Sequence, residues 1–131
     1  MPLTQDRNTS MKATDILVIG MAASSRIFAG SLVMLNAAGF AVSGVTATGL
    51  TYAGRAEEFV DNTSGAAGAA RVAVRRNKAF KWTNDGSIAQ AQLLKNAYVV
   101  DDGTVAATDG GGTRSVAGRI VGIDTDGVWV E

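Results

Sequence analysis

What limits this chain most is the spacing of its breaks. From Ile16 onward, short runs of β-branched and aromatic residues end at a Gly, Asn or Asp about every 8–12 residues. That spacing leaves no room for long helices and is the pattern of an all-β sandwich or barrel. The expected fold is a small β-barrel or sandwich of short antiparallel strands and hairpins. Its strands are expected at Ile16–Ile19, Ser31–Leu35, Phe40–Val42, Leu50–Val60, Arg71–Arg75, Ala79–Thr83, Tyr98–Val100, Thr104–Ala106, Ser115–Ile123 and Val128–Glu131.

Three hairpins follow from the turn residues. Leu32–Leu35 turns at Asn36-Ala37-Ala38-Gly39 into Phe40–Val42, and Tyr98–Val100 turns at Asp101-Asp102-Gly103 into Thr104–Ala106. Ile120–Ile123 turns around Asp126-Gly127 into Val128–Val130, because Asp and Gly both tolerate the positive φ of a tight hairpin. One short helix is expected over Ser87–Asn96, capped by Ser87, with Ile88, Ala91 and Leu94 on one face. Residues 61–70 and 107–113 are small-residue loops without evident anchors.

At 131 residues the chain is long enough for one core but not two. Residues 1–12 are polar and read as an extended N-terminal arm, leaving 13–131 as a single β-rich domain. With few large aromatics among many Ala and Gly, stability is expected to draw partly on an oligomer or lattice interface.

Chemistry is bounded by absence. The sequence holds no cysteine and no histidine, which removes disulfides, thiolate nucleophiles, Cys/His zinc sites and imidazole bases. Its 12 basic and 12 acidic residues cancel, so no overall field would hold it on nucleic acid or an anionic membrane. The apolar-leaning region from Ile16 to Val42 is interrupted by Arg26, Asn36 and several Ser and Gly, too often for a bilayer span. Its first residues lack the basic and apolar regions of a signal peptide, so synthesis in the cytoplasm is expected.

Motif by motif, no cofactor, metal or catalytic set emerges. Asp124-Thr125-Asp126-Gly127 begins like a calcium loop, but position 5 falls on Val128 and position 12 lies beyond Glu131. The same stretch resembles the nucleoside pocket of trimeric β-fold dUTPases through Gly122-Ile123-Asp124. Gly127, however, stands where the pocket tyrosine belongs, Trp129 lies two positions further on, and no glycine-rich arm follows Glu131. Gly110-Gly111-Gly112-Thr113-Arg114 and Gly65-Ala66-Ala67-Gly68 lack the Gly-Lys-Ser/Thr ending of a P-loop. Glu57 and Glu58, adjacent on an expected strand, would point to opposite faces and share no proton.

Arg71–Trp82 reads as a two-stranded ribbon with a basic face, Val72 and Val74 pointing away from Arg71 and Arg75, and Phe80 and Trp82 away from Lys81. Because a single-strand nucleic-acid site wants aromatics and bases together, Phe80 and Trp82 are expected in the core. The basic face is then either solvated or in contact with an acidic partner.

GRAEEFVDNTSGAAGAARVAVRR at 54–76 and AYVVDDGTVAATDGGGTRSVAGRIVGIDTDGVWVE at 97–131, with RIFAGSLVMLNAAGFAV before them, resemble the capsid cement or decoration proteins of tailed bacteriophages. The resemblance covers about residues 13–131 and consists of strands and turns. It implies a non-enzymatic virion protein on the outer surface of a mature head built from an HK97-fold major capsid protein, clamping adjacent capsomers against packaged DNA. It also implies self-association, a homotrimer in preference to a homodimer, with no direct nucleic acid and no membrane. Expected contact residues are Pro2, Leu3, Thr4, Gln5, Asp6 and Arg7 in the arm and Arg71, Arg75, Arg76 and Lys81 on the basic face. A tail or host-surface binding β-module and a dUTPase-like nucleotide-binding trimer are the alternatives.

Overall fold

The computed structural model describes residues 1–131 and is all-β. Its strands are β1 (Ile16–Gly20), β2 (Ser25–Ile27), β3 (Leu32–Leu35), β4 (Ala41–Ser43), β5 (Thr51–Ala56) and β6 (Val60–Asn62). They continue as β7 (Arg71–Arg75), β8 (Phe80–Asn84), β9 (Asn96–Val99), β10 (Thr104–Ala106), β11 (Val116–Asp124) and β12 (Gly127–Val130). β1-β7-β5-β3-β4 form one antiparallel sheet, β2 and β6 pair as a small ribbon, and β10-β8-β12-β11-β9 close into a barrel. Within the barrel β10 runs parallel to β8, and every other pairing is antiparallel.

The long strand β11 closes the barrel by pairing on both sides, and it bends at two irregularities, between Val116 and Gly118 and between Ile120 and Gly122. Bulges sharpen twist and let one strand turn a barrel corner. Both corners need glycine: a Cβ on Gly118 would stand 2.1 Å from the Glu131 carbonyl oxygen, and one on Gly122 2.9 Å from Trp129.

β3 divides the interior. Its alternate residues Leu32 and Met34 point into the barrel cluster with Phe80, Trp82, Val99, Val105, Ile120, Val128 and Val130. Val33 points the other way, into a second cluster with Met21, Ile27, Ala41, Ala56, Val72 and Val74. The interior therefore holds two apolar clusters where one was expected, because a strand with period 2 and apolar residues at every position feeds both faces. Sheet and barrel are joined further by the Trp82 indole N–H, which donates to the Tyr52 hydroxyl at 3.3 Å. Ser115, buried, accepts from the Leu50 amide and donates to the Ala47 carbonyl.

All three hairpins form as expected, and four other expectations are corrected. No α-helix occupies 87–96, only a single 3-10 turn at Gln90–Gln92. Ser87 spends its hydroxyl on Asp85 and the Ala107 amide, Asn84 collects the Gly86 and Ile88 amides, and Leu94 takes a left-handed φ of 65°. The stretch 50–60 splits at Glu57-Glu58-Phe59, where the chain leaves the sheet to pair β6 with β2. So Glu57 and Glu58 do not sit on one strand. Arg71–Trp82 is not a ribbon: β7 joins β1 and β5, β8 joins β12 and β10, and Asn77 at φ 61° turns the connector between sheet and barrel. Finally, the 61–70 loop is anchored. Buried Asn62 donates to the carbonyls of Ala22 and Ala66 at 3.0 and 3.1 Å.

Candidate functional site

The connector between sheet and barrel carries the densest positive charge in a concave setting, and the register explains how it arises. Arg55 of β5 lies directly opposite Arg75 of β7, a like-charge pairing that costs stability unless an anion sits between the two. Glu57 supplies it. Its Oε1 accepts from Arg55 Nη2 at 2.8 Å and from Arg75 Nε at 3.1 Å. The Arg55 hydrogen bond first, and the Arg75 one second, hold the Glu57 carboxyl below its ordinary range. The Arg55 guanidinium also lies over the Phe80 ring, 4.9 Å from its centroid, a cation–π arrangement.

Gly54 brings these strands together. It sits at φ 140°, and a Cβ there would meet the Arg75 carbonyl oxygen at 2.1 Å, so only a residue without a side chain admits this approach.

The opposite wall comes from β8 and the final hairpin. Lys81 Nζ donates to both Asp126 oxygens at 3.0 and 2.9 Å and stands 5.6 Å from the Trp129 ring centroid. That bond is the main cause holding the Asp126 carboxyl below its ordinary range. Trp129 is fixed from the far side, its indole N–H donating to Asp124 at 2.8 Å. Between the walls runs a groove of about 480 Å³ lined by Arg55, Arg75, Lys78, Phe80, Lys81 and Trp129 among others. A neighbouring concavity of about 400 Å³ is lined by Tyr52, Gly54, Arg76, Lys78 and Glu131.

Arg75 and Lys81 therefore share one groove, and Arg76 borders the next. Arg71 does not join them; it is exposed at the far end of β7, opposite Gly20. Pro2, Leu3, Thr4, Gln5, Asp6 and Arg7 are exposed, lie outside any strand and surround a shallow concavity of their own. The first hydrogen bonds between the N-terminal segment and the rest of the chain come at Thr14 and Asp15, through Arg76 and Asn77.

Sequence reasoning missed Arg55, Glu57, Lys78 and Trp129 as groove residues. Arg55 and Glu57 carried a signal, since residues two apart in an extended chain share a face. Lys78 carried none, because its place depends on where the connector crosses.

Asp124 ends β11 and Asp126 lies in the Thr125-Asp126 turn of the β11–β12 hairpin, engaged by Trp129 and Lys81 respectively. Neither Asp126 nor Gly127 has a positive φ. Gly127 is needed for a different reason: a Cβ would stand 2.6 Å from Lys81 Cγ and 3.0 Å from the Trp82 carbonyl oxygen.

Two apolar features lie outside the groove. Phe28 and Phe59, 50% and 51% exposed and outside any strand, stack at 5.3 Å with Arg26 over Phe28. On β1, a sheet-edge strand, Ile16 and Val18 point outward, 42% and 59% exposed. Compared with known protein families, with curated proteins and with solved structures, the chain matches none.

Proposed function

We propose that this chain is a non-enzymatic structural protein of a virion that binds the outer surface of a mature HK97-fold capsid and cements adjacent capsomers. The observation that carries the proposal is the junction of arm and edge strand. Fifteen exposed residues run straight into β1, whose outward face shows Ile16 and Val18 and whose second edge has no strand partner, the chain bridging Ala41 of β4 only past the end of β1, at Met21. Met1, Leu3 and Met11, the arm's apolar side chains, are exposed as well. An apolar edge strand continued by a long exposed arm is suited to strand addition or strapping across a neighbour, and an assembly supplies such neighbours at every lattice point. Each contact is modest, but in an oligomer the second and third become effectively intramolecular once the first forms.

Deleting residues 2–10 lowers occupancy on emptied mature heads in a co-sedimentation assay while leaving the melting temperature of the body unchanged. Full occupancy by the truncated chain removes the arm from the mechanism, and no binding by the full chain removes the capsid.

One observation favours a second class. The exposed Phe28–Phe59 pair lies outside the strands, where a tail or host-surface module would place its anchors, although most aromatics were expected in strand patterns. Co-sedimentation with host envelopes, abolished by Phe28→Ser together with Phe59→Ser, would decide for it.

A further inference from the structure

We propose that the groove between sheet and barrel is a receptor for an acidic, extended peptide segment of a protein partner. The proposal does not depend on the capsid reading. It concerns the purified chain, whatever assembly that chain serves.

Charge complementarity points to this occupant. Four cations, Arg55, Arg75, Lys78 and Lys81, line the groove, and two carboxylates, Glu57 and Asp126, pair with three of them. Lys78 is exposed and makes no ion pair, so the groove keeps a surplus of positive charge. The arginines are also under-used. Glu57 takes one hydrogen bond from each, whereas a guanidinium has five N–H donors suited to bidentate carboxylate recognition. Arg55 is held on Phe80 and Lys81 beside Trp129, so two of the cations are already positioned and little side-chain freedom is lost on binding.

A nucleic-acid strand fits less well. Glu57 and Asp126 interrupt the cationic surface where a continuous polyanion would run. Phe80 and Trp82 are buried rather than open for base stacking, and the chain as a whole carries no net charge. Discrete carboxylates spaced along an extended peptide can meet Arg75 and Lys78 on one side and Lys81 on the other while avoiding both acids.

Trp129, 37% exposed on the groove wall, is a built-in reporter, since the only other tryptophan, Trp82, is buried. Titrating the full chain with a short oligoglutamate peptide is expected to change Trp129 fluorescence saturably, with an affinity that falls as salt rises. Lys78→Glu weakens binding about tenfold or more, whereas Arg71→Glu, on the far end of β7, leaves it unchanged. Lys78→Gln, which introduces no repulsion, gives an intermediate loss, and melting curves confirm that each variant is folded. No saturable change with oligoglutamate, or equal weakening by Arg71→Glu and Lys78→Glu, overturns the proposal. Tighter binding of a single-stranded oligothymidylate of matched charge overturns it in favour of nucleic acid. Head co-sedimentation of Lys78→Glu is read separately: retained head binding with lost peptide binding leaves the capsid reading intact and places this groove's partner elsewhere.

Discussion

Replacing Gly54 by alanine should damage this fold more than any other single methyl addition at a positive-φ glycine. The added Cβ would stand 2.1 Å from the Arg75 carbonyl oxygen, about 1 Å inside the ~3.3 Å at which carbon and carbonyl oxygen normally meet. The obstacle is backbone in the middle of a sheet, so β5 and β7 must separate. The φ of 140° adds backbone strain of about 1–3 kcal/mol for a non-glycine residue, and the overpacking adds about 1–3 kcal/mol. A total of about 2–6 kcal/mol is a large share of the roughly 5–15 kcal/mol that stabilises an ordinary domain. At about 4 °C per kcal/mol for a chain of this size, the melting temperature falls by roughly 8–24 °C. The control is Gly49→Ala, where φ is 76° but nothing lies within 4 Å, so only the left-handed penalty of about 1–2 kcal/mol applies. Thermal unfolding followed by circular dichroism measures both variants side by side. Equal losses would refute the reasoning, because they would mean that the close approach of β5 to Arg75 contributes nothing beyond φ.

Tyr52, which burial pushes up to about 12 despite the opposing hydrogen bond from Trp82, should make the fold alkali-sensitive. Below about pH 10 the phenol is protonated folded or unfolded; between about 10 and 12 only the unfolded chain ionises, so stability falls by about 2–3 kcal/mol as pH rises through that window. Tyr52→Phe is expected to flatten this part of a stability-against-pH profile from denaturant melts, and an unchanged slope would count against a buried phenol. Asn62→Ala leaves the Ala22 and Ala66 carbonyls without their donor, at a cost of about 1–3 kcal/mol. Limited proteolysis should then cut within residues 61–70 before the body unfolds, and equal resistance in the variant would show that Asn62 does not hold the loop.

The strands were legible wherever side-chain alternation was strong. Val72 and Val74 against Arg71 and Arg75, or Phe80 and Trp82 against Lys81, announce both a strand and its buried face. β2 escaped because Ser25-Arg26-Ile27 offers one buried apolar residue in three, too little for a period to show. The supposed ribbon from 71 to 82 failed for a reason no local pattern contains: the two apolar faces belong to different clusters. The helix at 87–96 failed because Asn84, Asp85 and Ser87 bond locally and compete with the helical backbone.

The groove was half legible. Arg75 and Lys81 stood out by composition, but Arg55 reaches them only through the pairing of β5 with β7, and register lies outside what a single strand's sequence specifies. The β11–β12 hairpin was expected in the right place, but its turn residues are Thr125 and Asp126; Gly127, on β12, already pairs with Asp124, and crowding at Lys81, not dihedral freedom, is what requires the glycine.

The ladder that ties β1 to β7 also sets how this molecule carries load. Residues 16–20 are matched one for one with 75–71, so tension drawn through the N-terminal segment enters the sheet along the axis of β1. Pulled along that axis, the rungs are sheared together and must fail as a group. Pulled across it, they open singly from Ile16 inward, like a zip. A tether of this design is strong or weak according to the direction from which it is strained, and the same few hydrogen bonds serve as an anchor or a release.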